Sequence, residues 1–259
     1  ITFNSDKSAG KYKIKENDSL TINYSFEIES GKILTKTYTF FGSKYEIKSK
    51  ISFAGFNDLI SNNSYDLVWS NGIRSVERNS VDEANYSNAS VYYGDEQVIV
   101  DASSVGEKEV KEFRGRVDWL TVRNKYFAAI IIPDDSKKVE GAYIEGIQET
   151  RGIDGLHETY DARLTLPFQN QKVETQSFTL FIGPVDYKEL DAYGRNLVKI
   201  VDFGSFFGLK FIVRPIAEYI LLPLFQFINL FIPNYGFVLI IFSIIIKIVV
   251  YPLTKSSYQ

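Results

Sequence analysis

A single histidine and two pairs of acidic residues are the side chains of this sequence best suited to chemistry. His157 could act as a general base, and Asp154 with Glu158, or Asp95 with Glu96, could supply the paired carboxylates of glycoside hydrolysis. No spacing distinguishes either pair, and a lone histidine soon after a glycine is typical of a loop. We therefore interpret all five as solvated loop or turn residues and predict no catalytic residue.

The composition excludes several other kinds of site. The 259 residues include no Cys, no Met and one His. The chain can therefore form no disulfide, thiol nucleophile, Cys-ligated zinc site or multi-histidine metal centre. Trp69 and Trp119 could stack on a sugar ring, but packing in a core is the favoured interpretation. We predict no metal and no cofactor.

Lys247 is the only charged residue between positions 235 and 253. A helix of these 19 residues is about 28 Å long, close to the hydrocarbon thickness of a bilayer, which predicts a transmembrane helix. A charge at its centre costs at least about 2.5 kcal/mol. Lys247 is therefore expected to face water, a partner or a substrate, or to reach the cytoplasmic headgroups, since Leu253 is only about 9 Å away along the axis.

Residues 206–232 are equally apolar but carry a polar stripe. Lys210, Arg214 and Glu218 stand four residues apart and cover about 80° of a helix surface. This pattern predicts an amphipathic helix in the membrane interface, with its basic side chains reaching the headgroups.

The rest of this segment leaves an alternative open. Gln226 and Asn229 would extend the polar arc to about 160° of a regular helix. Pro215 and Pro223 are expected to bend it. The alternative is a second spanning helix that turns back at residues 233–234, which the charges of the stripe would make costly.

Residues 1–202 follow the two-residue period of β-strands. From Leu20 to Ile28 apolar and polar side chains alternate, which predicts a half-buried strand. Similar runs separated by turn residues predict a mainly β fold, a large antiparallel sandwich. The other strands are expected at residues 33–41, 45–53, 65–69, 89–93, 97–100, 126–132, 142–147, 161–166 and 178–182.

One short helix is expected at the end of this domain. Pro184 suits a first helical turn. Apolar residues then follow at spacings of three and four, namely Tyr187, Leu190, Tyr193 and Leu197.

Charge divides the chain at about the same place. Residues 203–259 carry four basic and one acidic side chain, which leaves 25 basic and 31 acidic side chains before them. The acidic part lacks the basic stripe of a nucleic-acid-binding surface. Because Lys255 follows the spanning helix, we expect the C-terminus in the cytoplasm and the β domain outside. The sequence starts with Ile and lacks Met, so we expect a missing N-terminal piece that carries a signal or an anchor helix.

Three segments near the end of the chain carry motifs. They are Tyr251-Pro252-Leu253-Thr254-Lys255 followed by Tyr258, Asn234-Tyr235-Gly236, and Val201-Asp202-Phe203-Gly204. They resemble the YPLTK end and the Asn-Trp-Gly start of the first core transmembrane helix in YidC-type membrane protein insertases, and the Val-Asp-Tyr-Gly before the interfacial helix of that family.

The β domain carries further matches to this family. Gly115 with Trp119, then Asn124-Lys125-Tyr126-Phe127 and Ile132-Pro133, resemble its W…(N/Q)KYF…IP strand, and Phe181-Ile182-Gly183-Pro184 is similar to its (Y/W)xGP segment. The matches run in order from about residue 65. Before that, only β character and Lys36-Thr37-Tyr38-Thr39-Phe40 match.

The resemblance implies an organisation and a function. It implies a periplasmic β-super-sandwich, similar to sugar-binding or mutarotase-like sandwiches, over 1–202. This domain would be followed by an interfacial helix over 203–233, a transmembrane helix over 234–254 and the start of a cytoplasmic region over 255–259. The resemblance also implies that an anchor helix and the later core helices are absent. Family members insert and fold proteins of the bacterial inner membrane, alone or with the Sec translocon, through a hydrophilic groove. The implied partners are nascent membrane proteins, the lipid bilayer and Sec components.

The resemblance also assigns residues. Lys247 stands where the family places a basic residue, usually Arg, that faces the groove, and it would attract acidic or polar parts of a substrate tail. Lysine keeps the charge but lacks the planar fork for bidentate carboxylate binding. The expected membrane-interface residues are Lys210, Arg214, Glu218, Tyr251 and Tyr258.

Two other hypotheses belong to different functional classes. The chain could be a membrane-anchored carbohydrate-binding or sugar-modifying sandwich, although the lack of a distinctive acid/base cluster argues against this. The sandwich could also be a docking module for Sec components. The favoured prediction is a non-enzymatic insertase and chaperone.

Overall fold

The structure is a computed structural model that describes residues 2–60, 62–152, 155–203 and 210–255. The chain divides into two compact units, Ile1–Lys199 and Ile200–Gln259. The first unit consists mainly of β-strands and the second of helices. The prediction of a mainly β fold followed by helical segments is confirmed.

Thirteen strands form two antiparallel sheets among the described residues of the first unit. The strands are β1 (Asn4–Ser5), β2 (Ser19–Glu29), β3 (Lys32–Phe41), β4 (Glu46–Ala54), β5 (Ser64–Trp69), β6 (Asn88–Tyr93), β7 (Glu96–Val100), β8 (Lys108–Arg114), β9 (Val117–Arg123), β10 (Phe127–Pro133), β11 (Gly141–Arg151), β12 (Gly155–Pro167) and β13 (Val173–Pro184). The large sheet has the order β1-β2-β3-β4-β13-β10-β9-β6-β7, and the small sheet has the order β5-β12-β11-β8.

Alternating burial explains why the two sheets pack. In β12 the side chains of Tyr160, Ala162, Leu164 and Leu166 are buried, while the residues between them are half-buried. They meet side chains of the large sheet, among them Val91, Leu120 and Phe178, in one apolar core. Removing this apolar surface from water is the main driving force for the sandwich.

A short helical segment covers part of the other face of the large sheet. Its helix α2 (Tyr187–Asp191) follows helix α1 (Ser80–Ala84), which is equally short, in chain order. Asp186 is the N-cap of α2, and its side chain accepts hydrogen bonds from the backbone of Lys188 and Glu189. Pro184 instead ends β13 opposite Phe127, so its predicted place in the first helical turn is wrong. The Asp186 side chain caps the start of α2, so the first turn of the helix does not require a proline.

The segment after α2 is anchored by Trp119. Gly194, Arg195 and Asn196 all have positive φ angles, of 62°, 52° and 60°, a conformation that is unfavourable for residues with side chains. The Trp119 indole N–H donates to the Arg195 carbonyl at 3.0 Å. The Arg195 guanidinium donates to the Pro133 carbonyl at 2.7 Å. These two bonds hold the strained turn against the sheet.

Three helices make up the described part of the second unit. They are α3 (Lys210–Ile216), α4 (Leu222–Phe231) and α5 (Tyr235–Lys255), and a π-helical turn, Ala217–Leu221, joins α3 to α4. Among the described residues, one helical stretch, Tyr235–Pro252, is long and apolar enough to cross a membrane. It matches the transmembrane helix predicted from the sequence.

Aromatic contacts bring α4 and α5 together as a hairpin. Phe225 stacks on Tyr235, with ring centroids 6.1 Å apart, and meets Phe242 edge-on at 5.8 Å. The Asn234 side chain accepts hydrogen bonds from the backbone of Gly236 and Phe237, at 2.9 and 3.4 Å. The Asn-Tyr-Gly motif thus starts α5 with an N-cap, which satisfies donors that have no partner within the helix.

We predict that Trp119→Phe lowers the free energy of unfolding by about 1–3 kcal/mol, because it leaves the Arg195 carbonyl without its buried donor. Urea unfolding of the purified chain in detergent, followed by circular dichroism, measures this. Tyr86→Phe is the control, since Tyr86 is exposed and loss of its hydroxyl group is expected to change the free energy of unfolding by less than about 0.5 kcal/mol. Equal effects of the two substitutions would contradict the anchoring role.

Candidate functional site

Lys247 lies on the face of α5 that is turned away from α4. Val238, which is buried in the hairpin, is nine residues earlier, so the two side chains are about 180° apart on the helix. The Lys247 side chain is exposed. Within the part of the chain that the structure describes, no hydrogen bond or ion pair to its ammonium group is found.

Ser243 and Tyr251 share this face with Lys247. They stand four residues before and after it, within about 40° on each side, and all three are exposed. The sequence reasoning identified Lys247 and Tyr251 but missed Ser243, although the same spacing of four could have revealed it. The result is a polar line along an otherwise apolar helix.

The predicted interface stripe contains an ion pair. Arg214 and Glu218 approach to 3.5 Å, and their side chains are 30% and 17% exposed. The Arg214 guanidinium also lies over the Phe203 ring at 5.7 Å. The side chains of Lys210, Leu253 and Thr254, and all of Gly204 and Tyr258, lie outside the described part. The interface positions predicted for Lys210, Arg214, Glu218, Tyr251 and Tyr258 stay predictions.

The π-helical turn narrows the polar stripe. The backbone N–H of Leu222 donates to the Ala217 carbonyl, five residues back, so the turn contains one more residue than a regular α-helical turn. This extra residue rotates everything after it by about 100°. Gln226 and Asn229 are thereby brought to within about 40° of Arg214, rather than spreading to about 120°. All three are half-buried, and the sequence pattern could not show this alignment.

The comparisons with known proteins identify the family. A family profile described as the YidC periplasmic domain matches residues 2–219. The chain belongs to the YidC family.

Curated relatives agree with the family profile over nearly the whole chain. The chain is 34% identical to the membrane protein insertase YidC of Chloroherpeton thalassium over 99% of its length, 36% identical to that of Chlorobium limicola over 91%, and 35% identical to that of Prosthecochloris aestuarii over 99%. It covers 43%, 39% and 43% of these proteins. The chain therefore spans about two fifths of the length of the YidC proteins it matches.

A solved structure also aligns with part of this chain. The heparan sulfate lyase HepC of Pedobacter heparinus covers 67% of this chain, and the chain covers 21% of HepC, with a TM-score of 0.36 and 8% identity. Similarity at this level carries no argument about fold or function.

The Asn-Lys-Tyr-Phe motif of the YidC domain ties the β9–β10 turn to α1. Asn124 is 1% exposed. Its side-chain oxygen accepts hydrogen bonds from the backbone N–H groups of Tyr126 and Phe127 at 3.0 and 2.8 Å, and its side-chain NH₂ group donates to Glu83 at 2.8 Å. Glu83 is fully buried and also accepts two backbone N–H groups of the loop before α1. The motif therefore has a structural role, because it pairs a buried carboxyl group.

The other motif residues strengthen this junction at the surface. Lys125 forms ion pairs with Asp82 and with Glu77, the latter at 3.3 Å, and the Tyr126 hydroxyl donates to Glu77. The hydrogen bond to Asp82 raises the pKa of Lys125, and the bond to Glu77 raises the pKa of Tyr126. Both groups therefore keep their protons to a higher pH than a free lysine or tyrosine does.

Two of the candidate acid/base residues, His157 and Glu158, are neighbours in β12 and therefore lie on opposite faces of the strand. His157 lies within β12, half-buried, with its Nδ1 atom 3.1 Å from the Ser75 hydroxyl. Glu158 is 5% exposed. The interpretation of these two as solvated loop residues is wrong, because β12 starts at Gly155 and carries them into the small sheet. Asp154 lies outside the described residues.

The second candidate pair lies where the sequence predicted it. Asp95 is exposed in the turn between β6 and β7, and Glu96 is exposed at the start of β7. Gly94 and Asp95 have φ angles of 59° and 64°, as in a tight hairpin turn. The tryptophans pack as predicted. Trp119 is fully buried and stacks on Tyr92 at 5.5 Å, and Trp69 is half-buried and donates to the Gly72 carbonyl. Among the described residues, no group of acidic or histidine side chains suited to a metal is found.

We predict that Asn124→Ala lowers the free energy of unfolding by about 3 kcal/mol, because it removes the side-chain donor to one oxygen of the buried Glu83 carboxyl and the acceptor of two turn N–H groups. Denaturant unfolding measures the change. Asn57→Ala is the matched control, since Asn57 is exposed in a surface turn and its substitution is expected to cost less than about 0.5 kcal/mol. A loss at Asn124 no larger than at Asn57 would refute the structural role of the motif.

Proposed function

We propose that this chain forms the periplasmic domain and first core helix of a membrane protein insertase and chaperone. The main support is the exposed ammonium group of Lys247 on the α5 face opposite α4, which has no partner among the described residues. The names of the curated relatives, membrane protein insertase YidC, point to the same activity. The complete protein would place further helices beside α5, and Lys247 would face a hydrophilic groove between them.

The proposed mechanism is solvation. A polar group that crosses a bilayer without a partner costs several kcal/mol. The polar line of Ser243, Lys247 and Tyr251 would offer hydrogen bonds and one positive charge to a client segment at that depth. Lys247 would attract an acidic or polar tail as a point charge. This activity needs no nucleotide, metal or covalent intermediate, so the protein would not be an enzyme.

The proposed location follows from charge and domain order. The acidic β domain would lie in the periplasm, α5 would cross the bacterial inner membrane, and the end with Lys255 would lie in the cytoplasm. Nascent inner-membrane proteins and lipid would be the partners, with Sec components as additional ones. The segment of α3 and α4 would lie in the interface, with its exposed apolar side chains towards lipid. The contacts of Phe225 with Tyr235 and Phe242 would hold it there against the first half of α5.

Lys247→Ala in the complete protein tests this function. We expect insertion of a single-span client with an acidic tail to fall several-fold, because the ammonium group no longer offsets the desolvation of the tail. Lys247→Arg is expected to retain insertion, because the charge remains. The readout is protease protection of the client in reconstituted vesicles.

Val249→Ala is the matched control. Val249 is 61% exposed on α5 but lies about 160° from Lys247, so its substitution should leave insertion unchanged. Unimpaired insertion by the Lys247→Ala variant would remove the proposed role of this side chain. Loss of insertion in all three variants would instead point to a general weakening of α5.

A further inference from the structure

The segment of residues 101–107, here called the strap, connects the large sheet to the small sheet. It runs from the end of β7 to the start of β8. The backbone N–H of Ala102 donates to the Tyr160 hydroxyl at 3.0 Å, and that of Gly106 donates to the Gln148 carbonyl at 2.8 Å. Ala102 is almost fully buried. The strap thus closes one end of the sandwich through Tyr160 and Gln148.

Both attachment points also bind Glu158. The Tyr160 hydroxyl donates to one carboxyl oxygen of Glu158 at 2.6 Å, and the Gln148 side-chain amide donates to the other at 2.7 Å. Glu158 faces the core side of β12 and is 5% exposed. Each group that holds the strap is therefore in direct contact with one buried titratable group.

The Tyr160 hydroxyl has a second acceptor within reach. The Ser87 carbonyl, in the turn after α1, lies 3.4 Å from it. A hydroxyl group has one donor and two acceptor sites. If Glu158 is neutral, its own O–H can donate to Tyr160, which then accepts from Glu158 and Ala102 and donates to Ser87. If Glu158 is ionised, Tyr160 must donate to Glu158, and the bond to Ser87 is lost.

The surroundings of Glu158 favour the neutral form. Asp101, at the start of the strap, is the charged group that acts on it, while β11 presents the neutral amide of Gln148 and β12 presents Tyr160. Glu83 of α1 directs its carboxyl group to Val76, Glu77 and Asn124 instead. Burial, opposed by the hydrogen bonds from Tyr160 and Gln148, raises the pKa of Glu158 from 4.5 to about 7.

We propose that Glu158 and Tyr160 form a protonation switch that holds the strap closed when Glu158 is neutral and loosens it when Glu158 ionises. The closed form keeps the chain of hydrogen bonds from the strap through Tyr160 to Ser87. Ionisation leaves Ala102 bonded to the Tyr160 hydroxyl but removes the bond from Tyr160 to Ser87, and it sets a buried Glu158 charge beside the strap against Asp101. The switch concerns the β domain alone and is independent of the insertase proposal.

The direction of the pH dependence follows from proton linkage. In the closed form Glu158 keeps its proton up to about pH 7, whereas in the open form Glu158 releases it above the ordinary pKa of 4.5. Closure therefore weakens as the pH rises from 4.5 to about 7 and changes little beyond that. If opening exposes Glu158 fully, the open fraction increases about thirtyfold between about pH 5 and about pH 7.

Hydrogen exchange of the Ala102 and Gly106 amides in the full chain tests the switch. After correction for intrinsic exchange rates, we expect exchange at both amides to rise about ten- to thirtyfold between about pH 5 and about pH 7. Glu158→Gln should abolish this rise, because the amide stays neutral. Asp101→Asn, at an exposed position, should reduce the rise without threatening the fold.

Glu107→Gln is the matched control, since it removes an exposed carboxylate of the strap itself and should keep the full pH response. Exchange that does not depend on pH in the wild-type chain would overturn the proposal, as would the same response in the Glu158→Gln variant. If that variant does not fold, a carbon-detected NMR titration of Glu158 in the wild-type chain decides. Ionisation of Glu158 near its ordinary pKa of 4.5 would also overturn the proposal.

Discussion

The rest of this structure depends on one constraint, that a polar group removed from water must find a partner. In the β domain three buried pairs meet it. Glu83 binds Asn124, the Trp119 indole binds the Arg195 carbonyl, and Glu158 binds Tyr160. Each pair joins segments that the apolar core alone would leave unfastened: α1, the strained turn after α2, and the strap. The core therefore holds the sheets together, and these polar pairs hold the connections at their ends.

Several polar groups of the helical unit meet the same constraint in a different way, while the side-chain oxygen of Asn229 is buried without a partner among the described residues. Its long helix satisfies its backbone internally, and Asn234 caps the N–H groups at its start. The π-helical turn gathers the half-buried polar residues of α3 and α4 along one line, where Arg214 and Glu218 pair. Lys247 differs from all of these, since no described group neutralises it. An exposed charge in the middle of an apolar helix is the feature that carries the proposed function.

The sequence predicted the strands well where the alternation of apolar and polar residues matches the alternation of buried and exposed side chains. All ten predicted strands overlap observed ones. The alternation of apolar and polar residues that predicts a strand can be read from the sequence of that strand alone. It missed β8, whose side chains are mostly charged and which lies at the edge of the small sheet. It also missed β9, where nearly every residue is buried on both faces and no alternation remains.

The sequence by itself determined the β-rich domain, the apolar spanning helix, the isolated charge of Lys247 and the motifs of the YidC family. These features are local, since each can be read from a window of about 20 residues or fewer. Only the tertiary structure decided which polar residues are buried and what they bind. Asn124 meets Glu83, and Glu158 meets Gln148 and a strap that starts at Asp101. Strand pairing within each sheet, and the packing of the connecting segments against the sheets, bring these residues together, and no local sequence pattern shows which residues meet.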